Sequence, residues 1–144
     1  MTTPQSLSLV LWLCAVAMLL RVVGQLVVVL RAPAWLPPMG QWQSGLVPYR
    51  MLLATQAIVL MLMFWIATDF ARASGVWVQP LPRLGRVVLV WSYLYAGAMV
   101  VRYTVRMIRR PTERWFGGTI PIIFHTVLAF FQWTFALYHT AVRS

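Results

Sequence analysis

Acidic side chains are almost missing from this sequence. Its 144 residues include only two, Asp69 and Glu113, and a single cysteine, Cys14. These counts exclude a disulfide framework, a cysteine-rich zinc site and a pair of carboxylates for catalysis or for a bridged metal. Lysine is absent as well, so all 12 basic side chains are arginine. These counts therefore argue against many classes of hydrolytic and metal-dependent enzyme.

What the chain does contain is apolar. Hydrophobic residues make up 61% of it, charged residues 10%, and its mean hydropathy is +0.77, values that exclude an ordinary water-soluble domain. Its length suits four spans of about 20 residues with short connections. We predict an all-α integral membrane protein, a single domain over residues 1–144, with four transmembrane helices in an up-down bundle. The predicted helices cover about residues 7–31, 51–70, 87–108 and 119–142.

The first connection, residues 32–49, has an unusual composition. It contains four prolines, two glycines and two tryptophans. Proline forbids a regular helix there, and tryptophan favours the membrane–water interface. We predict an ordered loop that lies on the membrane surface.

The arginines also bear on orientation. Four of those near helix ends fall on the side of the termini and the second connection, and six fall on the side of the first and third connections. Because cytoplasmic loops carry an excess of basic residues, we expect loops one and three in the cytoplasm and both termini opposite. Arginine in place of lysine is typical of a GC-rich genome, and we expect a bacterial inner membrane.

Polar and cationic side chains from all four predicted helices fall in the half of the bilayer next to loops one and three. At 1.5 Å per residue, Arg21, Arg102 and His125 lie about 15, 10 and 9 Å inward from the ends of their helices. A cation in hydrocarbon costs at least about 2.5 kcal/mol, so such groups mark sites. The predicted ligand-binding residues are Arg21, Gln25, Arg50, Gln56, Arg102, Arg106 and His125.

On that side the only acid is Glu113, so an external partner is expected to supply negative charge or hydrogen-bond acceptors. An anionic lipid headgroup, a quinone and an acidic residue on another subunit all fit. Nucleic acid fits poorly because the arginines are distributed between apolar spans rather than clustered in one water-exposed patch. The leading hypothesis is a non-enzymatic subunit of a larger membrane complex that docks an acidic partner helix, an anionic lipid or a quinone through this basic layer.

The two histidines suggest an alternative. His125 and His139 are 14 residues apart, and 14 steps of 100° return to within about 40° of the same direction, so both share one helix face. This spacing resembles the haem-binding pattern of transmembrane b-type cytochromes. The resemblance covers one helix and implies a b-haem or quinone electron-transfer subunit, whose further axial ligand is a histidine of a symmetric dimer, a different residue such as methionine, or a residue of a partner protein.

A second alternative is a small membrane enzyme in which arginine holds an anionic cosubstrate. Four spans in about 150 residues with a basic balance are similar in layout to the membrane-associated proteins of eicosanoid and glutathione metabolism. The acidic, histidine- and asparagine-bearing helix motif of those proteins is missing from this sequence. No catalytic residue is therefore predicted, and a non-enzymatic role is favoured.

Overall fold

A computed structural model describes residues 3–36, 48–109 and 119–142. Four α-helices make up most of this part of the chain: α1 (Pro4–Arg31), α2 (Tyr49–Arg72), α3 (Pro82–Arg109) and α4 (Thr119–Ala141). Each is long and apolar enough to cross a membrane, and the described residues contain no strand. The predicted all-α class with four membrane-spanning helices is confirmed.

Helix α1 begins three residues earlier than predicted. The Thr3 hydroxyl accepts a hydrogen bond from the Ser6 backbone N–H at 3.3 Å, and Pro4 occupies the first helical position. Both features are favourable at a helix start, because a side-chain oxygen satisfies an orphan donor and proline has no N–H to leave unsatisfied. Helix α1 ends at Arg31, as predicted, and the next residue, Ala32, takes a left-handed conformation.

Helix α3 differs most from its predicted bounds, since it begins at Pro82 rather than at residue 87. In the sequence, Gly85 suggests that the helix begins after it. In the structure, Gly85 is buried inside the first turns of α3. A Cβ atom at this position would lie 2.7 Å from the Cβ of His139 on α4. Glycine here allows the backbones of α3 and α4 to approach closely instead of ending the helix.

The connection between α2 and α3 is built around Asp69. The Asp69 carboxylate accepts a hydrogen bond from the backbone N–H of Trp77 at 3.3 Å, in a short 3₁₀ helix at Val76–Val78. Gly75 has a φ of +119°, and a Cβ there would collide with the same carboxylate. Asp69 therefore fixes the turn that brings Trp77 back against the bundle.

The helices pack in the spatial order α2, α1, α4, α3. Helix α1 contacts both α2 and α4, and α4 also contacts α3. Over the described residues, α2 and α3 make no extended contact with each other. The core lies among α1, α2 and α4, with Leu11, Met63, Phe70 and Phe135 buried in it. These contacts fit the up-down bundle that the sequence predicts.

Most of loop one, residues 37–47, and loop three, residues 110–118, lie outside the described residues. The predicted interfacial ordering of loop one therefore stays a prediction, and Glu113 has no structural description. Of loop one, Trp35 is described and is exposed.

Candidate functional site

Arg21 lies inside the bundle, at the contact between α1 and α4. Its side chain is only 6% exposed. The central carbon of its guanidinium lies 5.7 Å from the centroid of the Phe124 ring on α4. An aromatic face attracts a cation at this distance. The deepest predicted charge is thus turned inward rather than toward lipid.

A tyrosine–histidine pair joins α3 to α4 nearby. The Tyr95 hydroxyl and Nδ1 of His125 share a hydrogen bond, and the two rings meet edge to face with centroids 5.6 Å apart. Both side chains are half-buried. His125 is therefore held in one orientation by a group from the neighbouring helix.

Arg21 and Arg102 both interact electrostatically with this pair. Each cation acts on Tyr95 and on His125, so guanidinium groups from α1 and α3 lie near the hydrogen bond between α3 and α4. We refer to Arg21, Tyr95, Arg102 and His125 as the basic cluster. Three of its members were predicted from sequence. Tyr95 was not, although it precedes Arg102 by seven residues and so shares its helix face.

Two glutamines form a second polar contact one turn from Arg21. Nε2 of Gln56 on α2 donates a hydrogen bond to Oε1 of Gln25 on α1 at 3.2 Å, and both side chains are buried. The remaining polar atoms, Nε2 of Gln25 and Oε1 of Gln56, are also buried and have no hydrogen-bond partner among the described residues. An open donor therefore lies on the helix face of Arg21, and an open acceptor lies opposite it on α2.

The other two predicted arginines lie nearer the membrane surface. Arg50 is exposed at the second position of α2 and takes no part in the described contacts of the basic cluster. Arg106 is half-buried one turn beyond Arg102 on α3. The predicted binding residues thus divide into an inner group on four helices and an outer pair.

His139 is placed differently from His125. Its side chain is fully buried, and its ring packs edge to face against Phe70, Phe135 and Tyr138. Nδ1 accepts a hydrogen bond from the backbone N–H of Leu81, just before α3, at 3.3 Å. The ring thus ties α4 to the chain entering α3.

This geometry disfavours His139 as an axial haem ligand. Because Nδ1 accepts a hydrogen bond, the ring proton of the neutral imidazole lies on Nε2, which then has no lone pair to give to iron. In residues 3–36, 48–109 and 119–142, no three histidine, cysteine or acidic side chains come together as a metal site. The haem role that the sequence suggests for His125 stays a prediction.

Comparisons of the chain with protein-family models, with curated proteins and with solved structures give no match. The basic cluster is therefore interpreted from its own chemistry. Guanidinium groups bind phosphate and carboxylate oxygens through two parallel hydrogen bonds, and the open amide of Gln25 adds a neutral donor. Such a set suits an oxyanion.

Proposed function

We propose that this protein is a non-enzymatic membrane subunit that holds the phosphate group of an anionic phospholipid in the basic half of its bundle. The observation that carries the proposal is that Arg21 and Arg102 both act on the Tyr95–His125 pair, with Arg21 buried against Phe124 beside it. The two cations come from different helices and act on the same hydrogen-bonded pair. An anion beside that pair would neutralise both.

The charge balance of this half supports an anionic occupant. Chain order assigns it eight arginines and one acid, Glu113, because Asp69 lies at the other end of α2. The eight are Arg21, Arg31, Arg50, Arg102, Arg106, Arg109, Arg110 and Arg114. The excess positive charge favours anionic over zwitterionic lipids by about 1 kcal/mol per arginine near the membrane surface.

Helix length brings the cluster within reach of a headgroup. Helix α1 has 28 residues, which makes it about 42 Å long against a hydrocarbon core of about 30 Å. If it overhangs equally at both ends, the backbone of Arg21 lies only about 9 Å below the hydrocarbon boundary. A long arginine side chain spans much of that distance.

The enclosure of Arg21 favours a lipid over an acidic helix of another subunit. A partner helix packs on the outside of a bundle, where it does not reach a side chain that is 6% exposed. In this proposal the headgroup enters from the end of the bundle. The outer surface of α3 suits the partner subunits, since Gly85 and Ser92 are its only buried residues in the described range.

Native mass spectrometry of the full chain tests the proposal. The protein, extracted in mild detergent, is mixed with phosphatidylglycerol or with phosphatidylcholine of identical acyl chains. We expect phosphatidylglycerol to be retained preferentially. Arg102→Gln should reduce that preference about fivefold, the equivalent of about 1 kcal/mol for one arginine.

Arg83→Gln is the matched control, because Arg83 is an exposed arginine of the same helix at its opposite end. It should leave the preference unchanged. Equal retention of the two lipids by the unmodified protein would refute the lipid proposal. Co-purification of an acidic membrane protein that is lost in Arg102→Gln would replace the lipid with a subunit contact.

A further inference from the structure

The hydrogen bond inside the basic cluster can run in either direction. A phenolic hydroxyl both donates and accepts, and a ring nitrogen of histidine accepts when it is unprotonated and donates when it carries a proton. When neutral His125 carries its proton on Nε2, the Tyr95 hydroxyl donates to Nδ1. In the imidazolium form, Nδ1–H donates to the Tyr95 oxygen instead. Protonation of His125 therefore reverses this bond.

The reversal changes what the pair offers to an anion. While the Tyr95 hydroxyl donates to Nδ1, its single proton is used within the pair. Once Nδ1–H donates to the hydroxyl oxygen, that proton is released to bind another acceptor, and the ring adds a positive charge. Hydrogen bonds between charged groups are about twice as strong as neutral ones. The protonated pair is therefore a better partner for a phosphate than the neutral pair.

The charged groups around His125 oppose its protonation while no anion is bound. Helix α4 packs mainly against α1 and α3. Among the described residues, the charged or titratable groups that these two helices direct at His125 are Arg21, Tyr95 and Arg102. Asp69, the acid of the described range, lies near the other end of α2 and is not in this set. Both guanidinium groups are permanently cationic, so they repel a third positive charge.

A bound phosphate group changes this balance. Its negative charge offsets the two guanidinium groups, so a proton on His125 is attracted rather than repelled. By thermodynamic linkage, a ligand that favours protonation binds more tightly to the protonated protein, and by the same factor. Histidine is the side chain that ordinarily changes charge between about pH 5 and 8. The effect on binding therefore belongs to that range.

We propose that binding of a phospholipid phosphate at the basic cluster is coupled to proton uptake by His125, so that the protein holds anionic lipid more tightly as the pH falls. This regulation rests on the proposed function, because the same site holds the lipid. The Tyr95–His125 bond is the element that changes. It reverses when the ring is protonated and releases the hydroxyl proton to the phosphate.

The test measures retention of radiolabelled phosphatidylglycerol by the full chain in maltoside micelles at about pH 5.5 and about pH 8, which bracket the titration of histidine. Phosphatidylcholine of the same acyl chains is the comparison lipid. A phosphodiester keeps one negative charge over this range, so the lipid itself does not titrate. We expect phosphatidylglycerol to be retained at least about fivefold better at the lower pH, the smaller end of the usual coupling between two sites. His125→Gln should remove the pH dependence and keep the preference for phosphatidylglycerol, because Arg21 and Arg102 remain.

Two further measurements separate His125 from other effects of pH. His139→Asn is the matched control, since it removes the other histidine of the chain while its amide oxygen can still accept the hydrogen bond from Leu81. The pH dependence should remain in this variant. In weakly buffered solution at about pH 6.5, addition of phosphatidylglycerol to the unmodified protein should cause proton uptake, and addition of phosphatidylcholine should not. Proton uptake needs no variant, so it decides the question if His125→Gln fails to fold.

Equal retention of phosphatidylglycerol at the two pH values, with that lipid still preferred over phosphatidylcholine, would overturn the coupling and leave the lipid site in place. Equal retention of the two lipids at both pH values would refute the lipid site and the coupling together. A pH dependence that persists in His125→Gln, or that is lost in His139→Asn, would overturn the assignment to His125.

Discussion

At the level of single residues, the hydrogen bond between Tyr95 and His125 is the connection on which the basic cluster depends. It fixes the orientation of the imidazole, on which both Arg21 and Arg102 act. The pair is half-buried, so removal of one partner leaves the other without a hydrogen bond in surroundings of low dielectric constant.

Tyr95→Phe should therefore lower the free energy of unfolding by about 1–3 kcal/mol, the cost of a buried polar atom without a partner. Thermal unfolding in detergent, followed by circular dichroism, gives the measurement. Tyr103→Phe is the control, because Tyr103 lies on the same helix with an exposed side chain. Equal stabilities of the two variants would show that the bond to His125 contributes nothing.

The sequence predicts how deep each side chain of the inner site lies in the membrane, but not which way it faces. Counting residues from the helix ends puts Arg21, Arg102 and His125 in one half of the membrane, and the structure brings these three together. Rotation about the helix axis depends on the neighbouring helix, which the sequence does not specify. For that reason the sequence does not separate inward-facing Arg21 from exposed Arg50, and it does not single out Tyr95.

At the level of elements, the close packing of α3 on α4 depends on a position that has no side chain. Gly85 allows α3 to approach the backbone of α4 at His139. His139 in turn accepts a hydrogen bond from Leu81, at the entrance to α3. The two contacts reinforce each other across the same pair of helices.

Gly85→Ala should consequently destabilise the protein by about 1–3 kcal/mol, since the added methyl group must push the helices apart. Gly97→Ala, on the same helix, should be neutral or stabilise the protein by up to about 1 kcal/mol, because a Cβ there meets nothing within 4 Å. Thermal midpoints of the two variants in one detergent provide the comparison. The junction is misassigned if Gly85→Ala is as stable as Gly97→Ala.

The end of α2 offers a second test. Ala73 follows the helix with a φ of 49°, a conformation that costs alanine about 1 kcal/mol more than glycine. Ala73→Gly should therefore raise the thermal midpoint. Ala71→Gly, inside the last turn, should lower it, because glycine weakens a helix by about 1 kcal/mol. A lower midpoint for Ala73→Gly would contradict the left-handed conformation.

These two elements show why helix ends were less predictable than helices. The four spans are predictable because a transmembrane helix needs about 20 consecutive apolar residues, and such runs can be recognised from composition alone. Ends depend on contacts. Alanine rather than glycine occupies the left-handed positions after α1 and α2, and Gly85 lies inside a helix because His139 is opposite it.

At the level of the whole molecule, the arrangement of arginines predicts an orientation. Four spans place loop one on the side opposite to the connection between α2 and α3. The excess of arginine on the loop-one side favours the cytoplasm for that loop.

Cysteine labelling measures this orientation. Trp35→Cys and Gln79→Cys, both at exposed positions in different connections, should react with a membrane-impermeant maleimide from opposite sides of sealed vesicles. We expect Trp35→Cys to react from the cytoplasmic face. The native Cys14 is buried and serves as the unreactive background. Reaction of both variants from one side would contradict the four-span topology.

Because α2 and α3 stand apart, the bundle is closed on three sides by protein and on the fourth by the surrounding medium. Hydrocarbon is thus a component of the tertiary structure as well as its solvent. A detergent with shorter chains replaces that wall without touching the three helix contacts. The conformation around Trp77 and Trp91, which line the gap, should therefore respond to the amphiphile before the secondary structure does.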